Sequence, residues 1–139
     1  MNKRRRISMK KLKFTFHGKD FYANMLTDQA PVTCEAVEKA CPFTTRWVHA
    51  KIVANEIFCP TKIEGPVLRE NPIPNLPGDI GLFDTPQTIC CWHGDMKPLG
   101  SGNVFARFTP EQMEVFHAEA TGLWKEPGSL VTVDVVEEE

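Results

Sequence analysis

The stretch from residue 103 to residue 122 reads NVFARFTPEQMEVFHAEATG and contains the clearest structural signals in the chain. Its first six residues alternate between two faces, which predicts a β-strand over residues 103–108. Thr109 then stands where a helix N-cap is expected, and Pro110 fits the first helical position. Gln112 completes the sequence pattern of a capping box with Thr109. The stretch therefore predicts a strand that leads directly into a capped helix.

This second helix carries an apolar stripe of Met113, Phe116 and Ala120 and is expected to end at Gly122. An earlier helix is predicted from residue 31, capped by Asp28 or Thr33 and ended by a proline at residue 42. Strands are predicted over residues 11–16, 21–25, 44–58 with a break near residues 54–55, 80–83, 88–93, 103–108 and 129–136.

This order of elements predicts a mainly β fold with two helices. We expect a closed or nearly closed antiparallel β-barrel with a helix over each open end. The proline-rich residues 60–78 are expected to form a loop region rather than the centre of a sheet.

The composition predicts a single domain. The chain has 139 residues, of which 42% are hydrophobic and 24% charged, and this balance excludes a wholly disordered protein. Residues 9–136 are expected to form the domain. Residues 1–8 are interpreted as a disordered basic extension or a remnant of cloning, and residues 137–139 as an acidic tail.

The charge distribution and the cysteine content limit which binding partners and which cellular compartment we expect. The basic residues cluster at the N-terminus and the net charge is −2, so no nucleic-acid partner is expected. No apolar run approaches the ~18 residues of a membrane span, so no membrane partner is expected either. The five cysteines are odd in number and form no CxxC pair, which favours a reducing cytoplasm over a disulfide framework.

Six short strings occur in order along the chain: Arg46-Trp47, Asn55-Glu56-Ile57-Phe58, Glu70-Asn71-Pro72, Pro77-Gly78-Asp79-Ile80-Gly81, Cys91-Trp92-His93-Gly94 and Gly102-Asn103-Val104. Together they resemble bacterial families of cyclophilin-like proteins of unknown function. The resemblance covers most of residues 11–136 and implies a cyclophilin-like barrel. True cyclophilins carry an arginine and a phenylalanine-methionine-glutamine string ending in Gly-Gly-Asp, which binds the prolyl peptide. The chain has no match to that string, so the resemblance implies the fold without prolyl isomerase activity.

Arginines and tryptophans in the predicted strands are candidate ligand-binding residues. Arg46 and Arg107 each offer a planar fork of donors that suits a carboxylate or a phosphate. Trp47 and Trp92 could line a small-molecule pocket. The structural alternatives are a solvated strand face for the arginines and core positions for the tryptophans.

Acid–base candidates are His93 and Glu56, with His49 as a further histidine in a predicted strand. The histidines have no HxH or HExxH spacing, so no metal and no cofactor are predicted. His93 and Glu56 are therefore the predicted catalytic residues if the protein is an enzyme, which the sequence leaves open.

Glu70, Asn71 and Asn103 are further candidate ligand-binding residues because they lie where loops meet strands. Asn71 precedes a proline and is held extended, and Asn103 follows a Gly-Ser-Gly run that lets a ligand approach the backbone closely. The alternative is that these side chains make only local hydrogen bonds.

The predicted fold and the candidate residues leave three hypotheses for the function of the protein. The first is a barrel that binds a small anionic metabolite such as a carboxylate or a cyclic amide, either with or without a reaction on it. The second is a peptide-binding or prolyl isomerase module. The third is a non-catalytic assembly protein, for which self-association into a homo-oligomer is expected.

Overall fold

The strands and helices follow the predicted order. The computed structural model describes residues 9–84, 87–97 and 101–138, and this part of the chain has ten strands, two α-helices and one 3₁₀ turn. The strands are β1 (Met9–Phe16), β2 (Lys19–Met25), β3 (Phe43–Arg46), β4 (Val48–His49), β5 (Ala54–Pro60), β6 (Pro72–Pro74), β7 (Asp79–Asp84), β8 (Gln87–Met96), β9 (Ser101–Arg107) and β10 (Leu130–Glu138). The helices are α1 (Pro31–Ala40) and α2 (Pro110–Ala120), and the 3₁₀ turn Thr121–Trp124 follows α2 directly.

One antiparallel sheet contains all of these strands. Their order is β3-β10-β1-β2-β9-β7-β8-β5-β4, and β6 pairs with part of β9. The two strands at the ends of this order, β3 and β4, are joined in the chain by Trp47 alone. The Trp47 N–H donates to the carbonyl of Ser129 over 2.9 Å, and the Trp47 carbonyl accepts from the N–H of Gly128 over 2.8 Å. The sheet thus forms a nearly closed barrel with one unsealed seam, which confirms the predicted fold class.

The β1–β2 hairpin forms as its alternating pattern predicts. Leu12, Phe14 and Phe16 of β1 are buried, and the residues between them are only partly covered. The turn is shorter than expected, because His17 and Gly18 alone connect the strands and both have positive φ. Two such residues make the tight turn whose twist matches that of a hairpin.

The start of α2 is confirmed, but its capping box is half formed. The N–H of Gln112 donates to Oγ1 of Thr109 over 3.2 Å, and Pro110 is the first helical residue. The Gln112 side chain instead accepts from the N–H of Tyr22 over 3.0 Å. That N–H is available because β2 pairs with β9 only at Asn24 and Met25.

The predicted caps of α1 are wrong. Neither Asp28 nor Thr33 caps the helix with its side chain. The carboxylate of Glu70 does so from a distant loop, accepting from the backbone N–H of Val32 over 3.2 Å and of Thr33 over 2.5 Å. Negative charge is favourable at this helix end because the first N–H groups have no partner within the helix.

Several boundaries differ from the sequence-based expectation. The strand expected over residues 44–58, with a break near residues 54–55, is divided into β3, β4 and β5, with interruptions at Trp47 and at residues 50–53. The proline-rich segment is mostly irregular, as expected, but β6 within it pairs with β9. β10 continues through Glu137 and Glu138, which were expected in an acidic tail and which pair with Lys10 and Met9. The expectations for residues 1–8 and for Glu139 lie outside the described residues.

The resemblance to cyclophilin-like proteins, as distinct from the barrel itself, stays a prediction. None of the helices in the described part of the chain is long and apolar enough to span a bilayer.

Phe116 of α2 inserts into the core of the barrel. It is fully buried, and its ring centroid lies 4.5 Å from that of Phe108 and 5.4 Å from that of Phe21. Further aromatic rings within 6.1 Å belong to Phe14, Phe16, His93 and Trp47. The side chain therefore fastens the helix to strands from several parts of the sheet.

Phe116→Ala is expected to lower the free energy of unfolding by about 3–5 kcal/mol, because it removes a buried ring and leaves a cavity. Urea unfolding followed by circular dichroism measures the loss. Val115→Ala is the matched control, since Val115 lies next to it but is 51% exposed. A loss for Phe116→Ala no larger than that for Val115→Ala would contradict the role given to this ring.

Candidate histidine site

Histidines from three separate elements lie together where α2 covers the barrel. His49 comes from β4, His93 from β8 and His117 from α2. Nδ1 of His93 and Nδ1 of His117 are 2.9 Å apart, a hydrogen-bond distance. Trp47, two residues before His49, packs with His93 against Phe116. We call Trp47, His49, His93 and His117 the histidine cluster.

Four nitrogen atoms of the histidine cluster are buried without a hydrogen-bond partner among the described residues. They are Nε1 of Trp47, Nδ1 and Nε2 of His49, and Nε2 of His93. Trp47 and His93 are fully buried and His49 is 8% exposed. Leaving a polar group buried and unpaired costs about 1–3 kcal/mol. Four such groups in one place are unusual for the core of a protein.

Both buried imidazoles are neutral at neutral pH. Burial, with smaller contributions from the nearby His117 and His49, lowers the pKa of His93 to about 3. Burial also lowers the pKa of His49, with a smaller contribution from Lys51. A neutral imidazole offers one donor and one acceptor. The cluster can thus donate and accept hydrogen bonds without burying a charge of its own.

Trp124, on the 3₁₀ turn after α2, lies between His49 and solvent. The ring centroids of His49 and Trp124 are 4.2 Å apart, and Trp124 is 38% exposed. Nζ of Lys51 lies 6.0 Å from the centroid of the Trp124 ring. This indole therefore forms the boundary between the histidine cluster and the surface.

The predicted catalytic pair is not brought together. Glu56 and Trp92 are direct partners in the β5–β8 pairing, so their side chains share a face. Nε1 of Trp92 donates to Oε1 of Glu56 over 3.0 Å. His93 follows Trp92 in the strand and so projects to the opposite face. Burial raises the pKa of Glu56, which lies on the face of the sheet away from the histidine cluster.

Glu70, Asn71 and Asn103 are brought together, but they bind groups of the chain itself. Oδ1 of Asn103 accepts from the N–H groups of Glu70 and Asn71, and its Nδ2 donates to Oγ1 of Thr33. Nδ2 of Asn71 donates to the carbonyl of Val104 over 2.9 Å. Together with the Glu70 cap, these bonds tie the proline-rich loop to α1 and β9.

Arg46 and Arg107 are both exposed and lie apart. At least three strands separate β3 from β9 in either direction around the barrel. Nη1 of Arg46 donates to the carbonyl of Gly128 over 2.7 Å. Nε of Arg107 donates to Oδ1 of the buried Asp79, also over 2.7 Å. The two guanidinium groups do not form a joint clamp.

Of the predicted site residues, only Trp47 and His93 belong to the histidine cluster. His117 was not among the predicted site residues, although its position next to Phe116 and four residues after Met113 places it at the edge of the buried stripe of α2.

The cluster does not have the arrangement of a metal centre. No group of three or more His, Cys, Asp or Glu side chains suited to a metal ion occurs in the described part of the chain.

Glu70→Gln is expected to lower the free energy of unfolding by about 1 kcal/mol through loss of the charged cap of α1. Burial raises the pKa of Glu70, but the hydrogen bonds from Thr33 outweigh it and hold the pKa below its usual range. The stabilisation is therefore present above the carboxyl pKa of the unfolded chain and is lost as pH falls. Glu64→Gln, at an exposed position of the same segment, is the control in urea unfolding. Equal losses for the two variants would argue against the cap.

The free energy of unfolding is expected to fall as pH drops below about 6.5, the ordinary pKa of histidine in an unfolded chain. The pKa of His93 in the folded protein is about 3, so only the unfolded state takes up a proton on this imidazole between the two values. Each pH unit in that window removes up to about 1.4 kcal/mol. His93→Phe should flatten this slope in urea unfolding measured over a pH series, whereas His17→Gln should retain it. An unchanged slope in His93→Phe would be evidence that His93 is not buried in its neutral form.

Comparison with solved structures shows barrels of similar fold. McbB, solved in complex with tryptophan, superposes with a TM-score of 0.76 at 13% identity over 90% of this chain. The chain spans 44% of the length of that protein. The solution structure of the hypothetical protein AF2241 from Archaeoglobus fulgidus superposes with a TM-score of 0.65 at 21% identity. That match covers 94% of this chain and 96% of the other.

No curated protein matches the chain in sequence. A family model does match residues 12–95, which run from within β1 into β8 and include His49 and His93. The match covers more than half of the sequence. The chain therefore belongs to DUF3830, a family of proteins of unknown function.

Proposed function

We propose that the protein binds a small molecule through the histidine cluster, at the end of the barrel beneath Trp124. The observation that carries this proposal is the group of four buried nitrogens without partners, contributed by Trp47, His49 and His93. A ligand with polar atoms would supply the missing hydrogen bonds. The aromatic rings packed around Phe116 would form the apolar wall that small-molecule sites need.

The proposed ligand carries a carboxylate or a cyclic amide. The indole N–H of Trp47 can only donate, so it needs an acceptor such as a carbonyl or carboxylate oxygen. Both nitrogens of neutral His49 lack a partner and offer one donor and one acceptor, which suits an amide with adjacent N–H and C=O groups. His93 adds only Nε2, because its Nδ1 is paired with His117. His93 is the candidate for a proton-transfer role if the bound molecule reacts. Glu56 is outside this proposal because it lies on the other face of β8.

The tryptophan complex of McbB supports the choice of a first probe. Tryptophan bears a carboxylate and an aromatic ring, and McbB shares the barrel fold over 90% of this chain. We therefore include L-tryptophan among the probes, together with benzoate, benzamide and succinimide. Benzoate and benzamide have nearly the same shape and differ in charge.

We expect at least one of these probes to raise the thermal midpoint of the protein by several degrees. A ligand at about 100 times its dissociation constant adds ~2.7 kcal/mol to the free energy of unfolding. His93→Phe and His49→Phe should abolish the shift because they keep a ring but remove the polar atoms. His17→Gln should retain it, since His17 lies apart from the cluster and contacts Glu119 and Ser129.

Two results would contradict the proposal. One is the absence of any shift at saturating concentrations of all four probes. The other is a shift of equal size in wild type, His93→Phe and His49→Phe, which would place the binding site elsewhere. Titration calorimetry on each variant distinguishes lost binding from a general change in stability.

A further inference from the structure

The contact between His93 and His117 couples the proton positions of the two rings. Their Nδ1 atoms are 2.9 Å apart, and a hydrogen bond between two nitrogens needs one hydrogen between them. An imidazole nitrogen that carries a hydrogen can only donate, and one that lacks it can only accept. The state of one ring therefore dictates the state of the other.

Two arrangements exist while both rings are neutral. If Nδ1 of His93 donates, Nε2 of His93 has no hydrogen and is an acceptor within the cluster. If Nδ1 of His117 donates, Nε2 of His93 carries the hydrogen and is a donor. Buried N–H groups without a partner are rarer in proteins than acceptors without one. The unliganded neutral pair therefore favours His93 as the donor to His117.

Protonation of the pair permits only one arrangement. His93 is fully buried whereas His117 is half-buried, so the positive charge resides on His117. Both nitrogens of a charged imidazole donate. Nδ1 of His93 must then accept, and the hydrogen of its neutral ring moves to Nε2.

We propose that His117 is a specificity-determining residue, whose protonation converts Nε2 of His93 from an acceptor into a donor for the bound ligand. This inference rests on the proposed function, because the ligand occupies the same site. With His117 charged, the cluster presents N–H donors beside a positive charge and favours a carboxylate. With His117 neutral, it presents an acceptor and favours an amide N–H.

The sign of the pH dependence follows from linkage. A carboxylate binds the protonated pair better, so its affinity is highest below the pH at which His117 takes up its proton and falls as pH rises through that point. An uncharged amide gains nothing from the charge on His117. Its affinity is therefore expected to stay constant or to rise with pH.

The titratable groups on the elements nearest His117 are His93 and Asp95 of β8 and Glu114 on the preceding turn of α2. His49 of β4 lies beside the 3₁₀ turn that follows α2. On the side of α2 that faces β2, Glu119 is bound by His17 and Lys19. The neighbouring 3₁₀ turn brings Trp124, with Lys51 over its ring.

Gly94 allows the close approach of His117 to β8. A Cβ at Gly94 would lie 3.0 Å from both Cε1 and Nδ1 of the His117 ring. Gly94→Ala is therefore expected to displace this imidazole while leaving His93 and the rest of the cluster unchanged. The variant tests the contact without removing either histidine.

The first experiment needs no ligand. Nitrogen-15 NMR of histidine-labelled protein, recorded over a pH series, reports which nitrogen of His93 carries the hydrogen. In wild type, Nε2 of His93 should change to the protonated form at the pH at which His117 becomes charged, while the His93 ring stays neutral. The change should be absent in His117→Gln, which can donate and accept but cannot titrate, and weakened in Gly94→Ala. His17→Gln should behave as wild type.

An Nε2 state of His93 that is constant through the titration of His117 would overturn the inference. The same change in His117→Gln would also overturn it. The NMR titration uses no ligand. A negative result in it is therefore distinguishable from a failure of the proposed binding function.

The second experiment compares benzoate with benzamide by calorimetry over the pH range in which histidines titrate. Wild type should lose roughly tenfold in affinity for benzoate relative to benzamide as pH rises. His117→Gln should show a ratio that does not depend on pH. A pH-dependent ratio of wild-type size in His117→Gln would assign the effect to another group and overturn the role of His117.

Discussion

The burial of Phe116 among the aromatic rings of the barrel holds α2 in place, and the rest of the site depends on it. Burying a phenyl ring contributes about 1.5–3 kcal/mol of transfer free energy, more than the ~0.5–1.5 kcal/mol of a single hydrogen bond such as the cap by Thr109. His117 follows Phe116 directly, so the same packing brings its imidazole to His93. An apolar contact thus determines the geometry of a polar cluster. The cap by Thr109 and the bond from Tyr22 to Gln112 orient the same helix from its other end.

The structural features that depend only on residues close together in the sequence were predictable from it. The alternation in β1 and the cap at Thr109 arise from local patterns. The break expected near residues 54–55 was wrong in position, because the strand is interrupted at Trp47 and at residues 50–53 and residues 54–55 belong to β5. The cap of α1 was not predictable, because Glu70 lies far along the chain and reaches the helix only through the folded loop. Gln112 failed its predicted role for a similar reason, since an unpaired N–H on β2 competes for its side chain.

The site was less predictable than the fold because strand pairing decides which side chains meet. His93 and Glu56 are both buried polar residues in strands, but their register places them on opposite faces. Asn103 and Asn71 are residue types that are common in binding sites, but their side-chain amides form hydrogen bonds with other groups of this chain. The histidine cluster draws on two strands and a helix that are distant in sequence. Its unpaired nitrogens cost a sizeable part of the ~5–15 kcal/mol by which proteins of this size are stable, and such costs are typical of functional sites.

The position of β10 between β1 and β3 has a consequence for how the protein folds during synthesis. β1 and β3 leave the ribosome well before their shared partner, so neither has its full set of ladder hydrogen bonds until the last strand emerges. Sheets built from such distant pairings fold slowly. In the meantime two strand edges are open to pairing with other chains, which is a route to aggregation. A nascent chain that stalls before Leu130 would therefore be a natural substrate for chaperones.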